Sequence, residues 1–101
     1  MMYPKPARVR SKSAIEAARK EWCESCGRPA YAEPHHVVTV GAGGPDHRFN
    51  LIQLCGDDHT RAHSSDKNRL TADRLLAIVA MREGMLLEDV KREINRLRGR
   101  G

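Results

Sequence analysis

Only four of the 101 residues are aromatic, and this scarcity limits the apolar core that the chain can build. Hydrophobic residues make up 40% of the sequence, and chains of this size bury a smaller fraction of their surface than larger domains do. Small domains with so little core usually need a disulfide or a bound metal for stability. The sequence therefore predicts one domain that is held together by a metal ion.

Three cysteines are candidate ligands for this metal. Cys23 and Cys26 are separated by two residues, and Cys55 follows well downstream. No secretory signal is recognisable, and no apolar stretch approaches the roughly 20 residues of a membrane span. In such a chain, a close cysteine pair is more typical of metal binding or redox chemistry than of a disulfide. We therefore expect a soluble, cytoplasmic protein without a membrane partner.

Positive charge is concentrated at the start of the chain. Residues 1–20 carry six basic side chains and one acidic side chain, whereas residues 21–84 have more acidic than basic groups. Pro4 and Pro6 exclude a helix there, and an extended basic arm is suited to following a phosphate backbone. A solvated terminus is the alternative explanation. We assign residues 1–12 to this arm, with four candidate nucleic-acid contacts: Lys5, Arg8, Arg10 and Lys12.

A short helix is predicted over residues 14–22. Ser13 and Glu16 fit a capping box, and apolar residues then recur at helical spacing up to Trp22. Residues 31–40 have a β-type composition, although Pro34 indicates an edge position or an irregular entry.

The central part of the chain is predicted to continue as a loop, a strand and a helix. Residues 41–46 are rich in glycine and form a loop, and residues 51–55 form a second short strand. Asp57 or Asp58 can cap the helix that follows.

Two further helices are predicted over residues 71–82 and 87–98. Thr71 opens the first, and Gly84 is expected to end it in the left-handed conformation. We expect the pair to pack over the small sheet, and a helix-turn-helix that reads the major groove is the alternative. Four arginines at this end are candidate phosphate contacts: Arg92, Arg96, Arg98 and Arg100.

Four of the five histidines lie in the predicted strand, loop and helix unit. His59 and His63 are one helical turn apart, so their rings can bind one ion, and a third imidazole from the strand would complete an open metal site. The same spacing of His59 and His63 would occur with two exposed histidines or with a structural zinc site. The pair alone therefore does not determine the function. His47 has no evident partner.

The order of these residues resembles the HNH endonuclease family. Its ββα-metal unit has a histidine ending the first strand, an asparagine in the loop and a histidine on the helix. The resemblance covers about residues 23–63, and three segments carry it: EPHHVV at 33–38, GGPD at 43–46 and NLIQLCGDDH at 50–59. The double histidine, together with two helix histidines, is most similar to the colicin DNase branch.

The resemblance implies an α+β fold that consists of a small ββα-metal unit. In this unit, helices flank a two-stranded antiparallel hairpin, and a bound zinc ion stabilises the structure. We expect a single domain over residues 13–101, with its core at about 23–66 and C-terminal helices at about 71–98. The resemblance also implies the function of a metal-dependent endonuclease, which hydrolyses DNA phosphodiester bonds by nicking or double-strand cleavage. DNA is the implied partner, a homodimer is left open, and the expected setting is a bacterial or phage-infected cell.

The resemblance also implies roles for single residues. His36 would be the general base that activates water, and Asn50 would hold the loop so that the His36 ring points at the phosphate. The divalent ion would be held by His35, His59 and His63. Three nitrogen ligands favour Zn, Ni or Mn over Mg, and the choice among these four ions stays open.

The cysteines fit a second, structural metal site. Zinc-ribbon members of the HNH family carry four cysteines in this arrangement, and Asp58 stands at the fourth position here, beside Cys23, Cys26 and Cys55. An oxygen ligand should weaken the site, and buried reduced cysteines are the alternative. We expect bound zinc, because so small a core otherwise lacks support.

An alternative of another class is a catalytically inactive, zinc-stabilised module that binds nucleic acid. A binding module has no need of His36, Asn50 and three metal-binding histidines together, and this favours the enzyme.

Overall fold

The computed structural model of the protein describes residues 8–99. Within them, strands β1 (His35–His36) and β2 (Leu51–Ile52) pair antiparallel, with His35 opposite Ile52. Four helices surround this hairpin: α1 (Lys12–Ala18), α2 (Gly56–His63), α3 (Ala72–Glu83) and α4 (Leu87–Leu97). The predicted α+β class, with a two-stranded antiparallel hairpin and flanking helices, is confirmed.

Both strands are shorter than the sequence predicts. The expected strands covered residues 31–40 and 51–55, but regular pairing stops after two residues on each side. Beyond His36 the chain bends, because the side chain of Asn50 takes both backbone groups of Val38. The backbone groups of Val38 are therefore bonded to a side chain, and the N–H of Val37 still bonds across the hairpin to the carbonyl oxygen of Asn50.

Helix α1 differs from the prediction at both ends. Ser11, and not Ser13, is the N-cap, and its side chain accepts a hydrogen bond from the backbone N–H of Ala14. The helix ends at Ala18, so the predicted continuation to Trp22 is wrong. Tertiary hydrogen bonds explain the early end, since the backbone N–H of Lys20 binds Oε1 of Gln53 at 3.1 Å.

Helix α2 follows β2 after three intervening residues, and Cys55 is its N-cap. The prediction that Asp57 or Asp58 caps this helix is therefore wrong by two to three residues. Both aspartates lie in the first turn instead. Acidic side chains are favourable there, because the helix dipole places positive charge at the N-terminus.

Helices α3 and α4 follow the prediction closely. Thr71 caps α3 through a hydrogen bond from the N–H of Arg74, and Gly84 ends it with φ of 66°. The buried faces of the two helices join Ile52 and Leu54 in one core. Such packing is the arrangement expected for a helix pair over the hairpin. None of the described helices has the length and apolar character to cross a membrane.

A buried ionic network ties α3 to the turn that carries the first two cysteines. Arg82 donates from Nη1 to both carboxylate oxygens of Glu24, at 3.0 and 3.2 Å, and to the carbonyl oxygen of Leu51. The side chain of Glu24 is only 7% exposed and also accepts from the backbone N–H of Gln53. The network fixes the cysteine turn against β2 and α3.

Candidate metal centres

Three histidines from the hairpin and α2 form the first cluster. His35 lies on β1, and His59 and His63 lie one turn apart on α2. Each offers one ring nitrogen, and these nitrogens all lie within 4.8 Å of one another. The Nε2 atoms of His59 and His63 are 3.1 Å apart. Nitrogen ligands of one tetrahedral ion lie about 3.4 Å from each other, so the cluster fits a single cation.

The environment of this cluster favours uncharged rings. Burial, reinforced by the neighbouring rings of His59, His63 and His36, lowers the pKa of His35 to about 4. Burial and the neighbouring His63 also lower the pKa of His59. Metal ions bind the neutral form of imidazole, so these two side chains are ready to act as ligands at neutral pH.

The ring of His36 lines the same cavity as the three histidines of the first cluster. This open cavity has a volume of about 330 Å³, and its wall includes His35, His36, His59 and His63. Neighbouring side chains on a regular strand point to opposite faces, which would separate His35 from His36. Because β1 ends at His36 and the chain bends immediately afterwards, both rings line one cavity.

Asp46, from the glycine-rich loop, contacts the ring of His36. Its Oδ1 atom is 2.7 Å from Nε2 of His36 and 2.5 Å from Nη1 of Arg8, and its Oδ2 atom accepts from the backbone N–H of Ser11. Burial by itself raises the pKa of Asp46, but these hydrogen bonds and the charge of Arg8 outweigh it and lower the pKa below its usual value. The carboxylate is thus ionised at neutral pH.

Asn50 holds the two ends of the loop together. Its fully buried side chain accepts from the N–H of Val38 at 2.7 Å and donates to the carbonyl oxygens of Val38 and Pro45 at 3.0 and 3.1 Å. The backbone of Gly44 also packs closely against Val38. A Cβ atom at this position would lie 1.8 Å from the carbonyl oxygen of Val38, so only glycine fits. The loop therefore closes tightly between His36 and Asp46.

Three cysteines and an aspartate form the second cluster. Cys23 and Cys26 come from the turn after α1, Cys55 caps α2, and Asp58 lies in its first turn. Their ligand atoms lie within 4.8 Å of one another, and the Sγ atoms of Cys26 and Cys55 are 3.6 Å apart. This separation excludes a disulfide and is close to the spacing of about 3.8 Å between thiolates on one tetrahedral zinc ion. The donor set therefore fits zinc.

Asp58 is oriented toward the thiols by Arg61. Its Oδ2 atom is 3.2 Å from Sγ of Cys23, while Oδ1 accepts from Nη1 of Arg61 at 3.1 Å. Burial raises the pKa of Asp58, but hydrogen bonds from Cys26, Cys23 and Arg61 lower it by more, so the net shift is downward. For Cys26, the backbone N–H of Arg28 lowers the thiol pKa, yet burial and the neighbouring Asp58 and cysteines raise it to about 12 overall. Metal binding here must therefore displace thiol protons.

Comparison with known proteins identifies the part of the chain that contains both clusters. A family model described as HNH endonuclease matches residues 23–65. Residues 23–65 are thus similar to an HNH endonuclease domain. The predicted resemblance to the HNH endonuclease family is confirmed. The matched segment contains the residues of both candidate metal clusters, together with His36, Asp46 and Asn50.

Two curated proteins are similar to parts of the chain. The type IV methyl-directed restriction enzyme EcoKMcrA of Escherichia coli K12 is 35% identical over an alignment of 63 residues, and the alignment covers 54% of this chain and 23% of the enzyme. An uncharacterized 38.5 kDa protein in psbA intron 1 of Chlamydomonas moewusii is 50% identical over 32 residues, 32% of this chain and 9% of that protein. The chain thus spans less than a quarter of either relative. No solved structure matches it significantly.

The candidate nucleic-acid contacts of the basic arm have different environments. Arg8 is occupied by Asp46 and the carbonyl oxygen of Gly44, and its side chain is 18% exposed. Arg10 and Lys12 are exposed, and Lys5 lies outside the described residues. The contact with Asp46 packs the Arg8 side chain against the glycine-rich loop.

The C-terminal arginines and the fifth histidine are engaged elsewhere. Arg92 and Arg96 pair with acidic residues of α4, Arg98 donates to the carbonyl oxygen of Ala42, and Arg100 lies outside the described residues. His47 packs against Phe49 and accepts from its backbone N–H at 3.1 Å. His47 therefore has a local structural role outside the HNH cavity.

Sequence reasoning missed Asp46 as a partner of His36. Asp46 follows Gly43, Gly44 and Pro45 in a loop, where an acidic residue is ordinary turn chemistry. Its position inside a segment similar to the HNH family was the available signal. Its pairing with Arg8, 38 residues earlier, depends on tertiary structure and has no local signature.

Proposed function

We propose that the protein is a metal-dependent endonuclease that hydrolyses phosphodiester bonds of DNA. The match to the HNH endonuclease family supports the nuclease class, and DNA is the substrate that this class suggests. The observation that carries the proposal is the shared cavity, in which His36 stands beside the three candidate metal ligands His35, His59 and His63. A water molecule, a phosphate and a cation can meet in this cavity with a base beside them.

In the proposed reaction, His36 is the general base. The oxygen of a water molecule forms a bond to phosphorus, and the proton of the water passes to His36. The bond from phosphorus to the 3′ oxygen breaks, and this oxygen takes a proton from solvent to become a hydroxyl group. Imidazole is the side chain most often used as a general base, and it is suited to this task. A divalent ion held by His35, His59 and His63 supplies stabilisation of the charge on the phosphate and the leaving oxygen.

The identity of the ion follows from its ligands only in part. Three imidazole nitrogens favour Zn, Ni or Mn, whereas Mg prefers oxygen ligands, and all four ions belong in the assay. We further propose that Cys23, Cys26, Cys55 and Asp58 bind a structural zinc ion that supports the base of α2. DNA affinity in this proposal comes from exposed basic groups such as Arg10 and Lys12.

Plasmid cleavage tests the proposed function. Supercoiled plasmid is incubated with the purified protein and Mn²⁺, Mg²⁺, Ni²⁺ or Zn²⁺, beside His36→Ala and the control His47→Asn. Loss of a general base should slow cleavage by at least about 100-fold, whereas Asn at position 47 keeps a capping side chain outside the cavity. Equal cleavage by His36→Ala and wild type would remove His36 from the mechanism. Binding without cleavage under every ion would favour the inactive nucleic-acid-binding module.

A further inference from the structure

We propose that Asp46 is a positioning residue that fixes the ring of His36 in the orientation and tautomer needed for general-base catalysis. The inference rests on the proposed function, because His36 acts as a base only if the protein cleaves phosphodiester bonds. Its structural basis is the 2.7 Å contact between Oδ1 of Asp46 and Nε2 of His36.

The contact determines which ring nitrogen carries hydrogen. An ionised carboxylate can only accept hydrogen bonds, so the nitrogen that faces Asp46 must be the donor. With hydrogen on Nε2, neutral His36 has its free electron pair on Nδ1. Nδ1 is therefore the atom that takes the proton of the attacking water, and this proton is released to solvent after the bond to the 3′ oxygen has broken.

The carboxylate of Asp46 is itself held in place from several sides. Asp46 is only 6% exposed, and its backbone N–H donates to the carbonyl oxygen of Val9 at 2.8 Å. Ser11 donates its backbone N–H to Oδ2 at 2.9 Å, and Arg8 binds Oδ1. Because these partners precede α1 in sequence, the segment before α1 sets the position of a side chain that contacts the base.

The charge of Asp46 has a second effect on the reaction. Proton transfer from water converts the His36 ring to an imidazolium, and a carboxylate 2.7 Å from the ring stabilises that cation. This logic is that of a carboxylate that orients a catalytic histidine without taking its proton. Hydrogen bonds from His36, Ser11 and Arg8 together keep the carboxylate ionised in its buried position and so support the same arrangement.

The competing explanation is that Asp46 only anchors residues 8–11 to the loop. Two substitutions separate these roles. Asp46→Ala removes every contact of the carboxylate, whereas Asp46→Asn keeps the shape but offers one acceptor oxygen where Asp46 has two. An amide group turned toward His36 would present N–H to Nε2 and favour the opposite tautomer. Asp89→Asn, in an exposed ion pair with Arg92 on α4, is the matched control.

Nitrogen NMR of the ¹⁵N-labelled protein tests the contact without any assay of activity. We expect wild-type His36 to have hydrogen on Nε2, with a hydrogen-bonded ring proton that exchanges slowly with solvent. This protected signal should be unchanged in Asp89→Asn and lost in Asp46→Ala. Hydrogen on Nδ1 in the wild type, or an unchanged ring signal in Asp46→Ala, would overturn the proposal.

Single-turnover plasmid cleavage at saturating protein then measures the consequence. Misplacement of the base should slow the chemical step of Asp46→Ala and Asp46→Asn by about 100-fold, with plasmid affinity unchanged. Ni²⁺ binding to the three histidines should match that of the wild type and so show an intact fold. Wild-type rates in both folded variants, or a loss confined to plasmid affinity, would contradict the positioning role. If the wild type cleaves nothing with any ion, the proposed function fails, and the NMR result still decides the contact.

Discussion

Cys23 and Asp58 lie 35 residues apart in the sequence, and Sγ of Cys23 is 3.2 Å from Oδ2 of Asp58. The contact joins the turn after α1 to the first turn of α2. Both side chains are buried, at 1% and 4% exposure, in a chain with few aromatic residues. A zinc ion shared by these elements would replace much of the core that the chain lacks.

Cys23→Ser should remove this zinc and unfold the domain. Structural zinc sites contribute directly to folding, and the melting temperature should fall by more than about 15 °C. Metal analysis of the purified wild type should give one zinc ion per chain when the histidine site is emptied by a weak chelator. Ser25→Ala, in the same turn, is the control and should keep both zinc and stability. An equal melting temperature for Cys23→Ser and wild type would exclude a zinc ion that supports the fold.

Asp58→Cys should strengthen the same site. A fourth thiolate replaces a harder oxygen ligand, so zinc affinity in competition with a chelator should rise by about tenfold or more. Arg61→Ala releases Oδ1 of Asp58 and should weaken zinc binding in the wild-type background. The same Arg61 substitution should have little effect on zinc affinity once residue 58 is cysteine. Equal losses in the two backgrounds would show that Arg61 does not act through Asp58.

Asn50→Ala should open the loop that separates His36 from Asp46. The substitution leaves buried groups of Val38 and Pro45 without partners and should cost about 3 kcal/mol of unfolding free energy. Urea unfolding measures the loss, and Asn95→Ala, on the exposed surface of α4, is the control. Asn50→Asp should be nearly as damaging, because its second oxygen would face two carbonyl oxygens. A fully stable Asn50→Asp protein would contradict this hydrogen-bond arrangement.

Arg82→Met should destabilise the protein although Arg82 lies outside the proposed metal sites. The substitution leaves the carboxylate of Glu24 with Lys20, at 3.3 Å, as its cationic partner, and the loss of the Arg82 hydrogen bonds should cost about 2 kcal/mol. Arg92→Met removes an exposed ion pair and should change stability by less than about 1 kcal/mol. Equal urea midpoints for the two variants would show that the Arg82 network contributes little.

Glu83 should contribute stability that depends on pH. Burial raises the pKa of its carboxyl, but hydrogen bonds from Arg48 and Arg82 outweigh this and lower the pKa below its usual 4.5. The folded state thus holds this proton less tightly than the unfolded state. Stability from Glu83 is complete above about pH 4.5 and is lost as the pH falls through the lowered value.

Comparison of Glu83→Gln with wild type across pH isolates this contribution. The difference in unfolding free energy should be constant near neutrality and should shrink below about pH 4.5. Asp89→Asn, in an exposed pair, should give a small difference at every pH. A difference between Glu83→Gln and wild type that does not change with pH would show that the Glu83 carboxyl has no lowered pKa.

The predictability of this fold from sequence depends on how local its signals are. Thr71 and Gly84 mark the ends of α3 through bonds within a few residues, and the prediction of α3 is accurate there. Helix α1 was predicted too long, because Lys20 bonds to Gln53, which no nearby residue reveals. The strands were predicted too long for the same reason, since Asn50 takes the backbone groups of Val38.

The candidate site shows the same division between local and distant signals. His59 and His63 share a helix face, so their approach follows from spacing alone. Spacing also predicts that a strand histidine joins this pair, but the choice of His35 over His36 could be expected only from the resemblance to the HNH family. The ion pair between Arg8 and Asp46 has no local signature, and a basic residue assigned to an arm is instead part of the support around His36.

Asp58 and His59 are consecutive residues of α2, yet their side chains belong to different metal clusters. One inserted or deleted residue between them would rotate one ligand set about the helix axis by about 100° relative to the other. The exposed segment that follows α2, residues 65–69, can change in length without such a rotation. Length variation among relatives that keep both clusters should therefore occur in this segment, while the spacing from Cys55 to His63 stays constant.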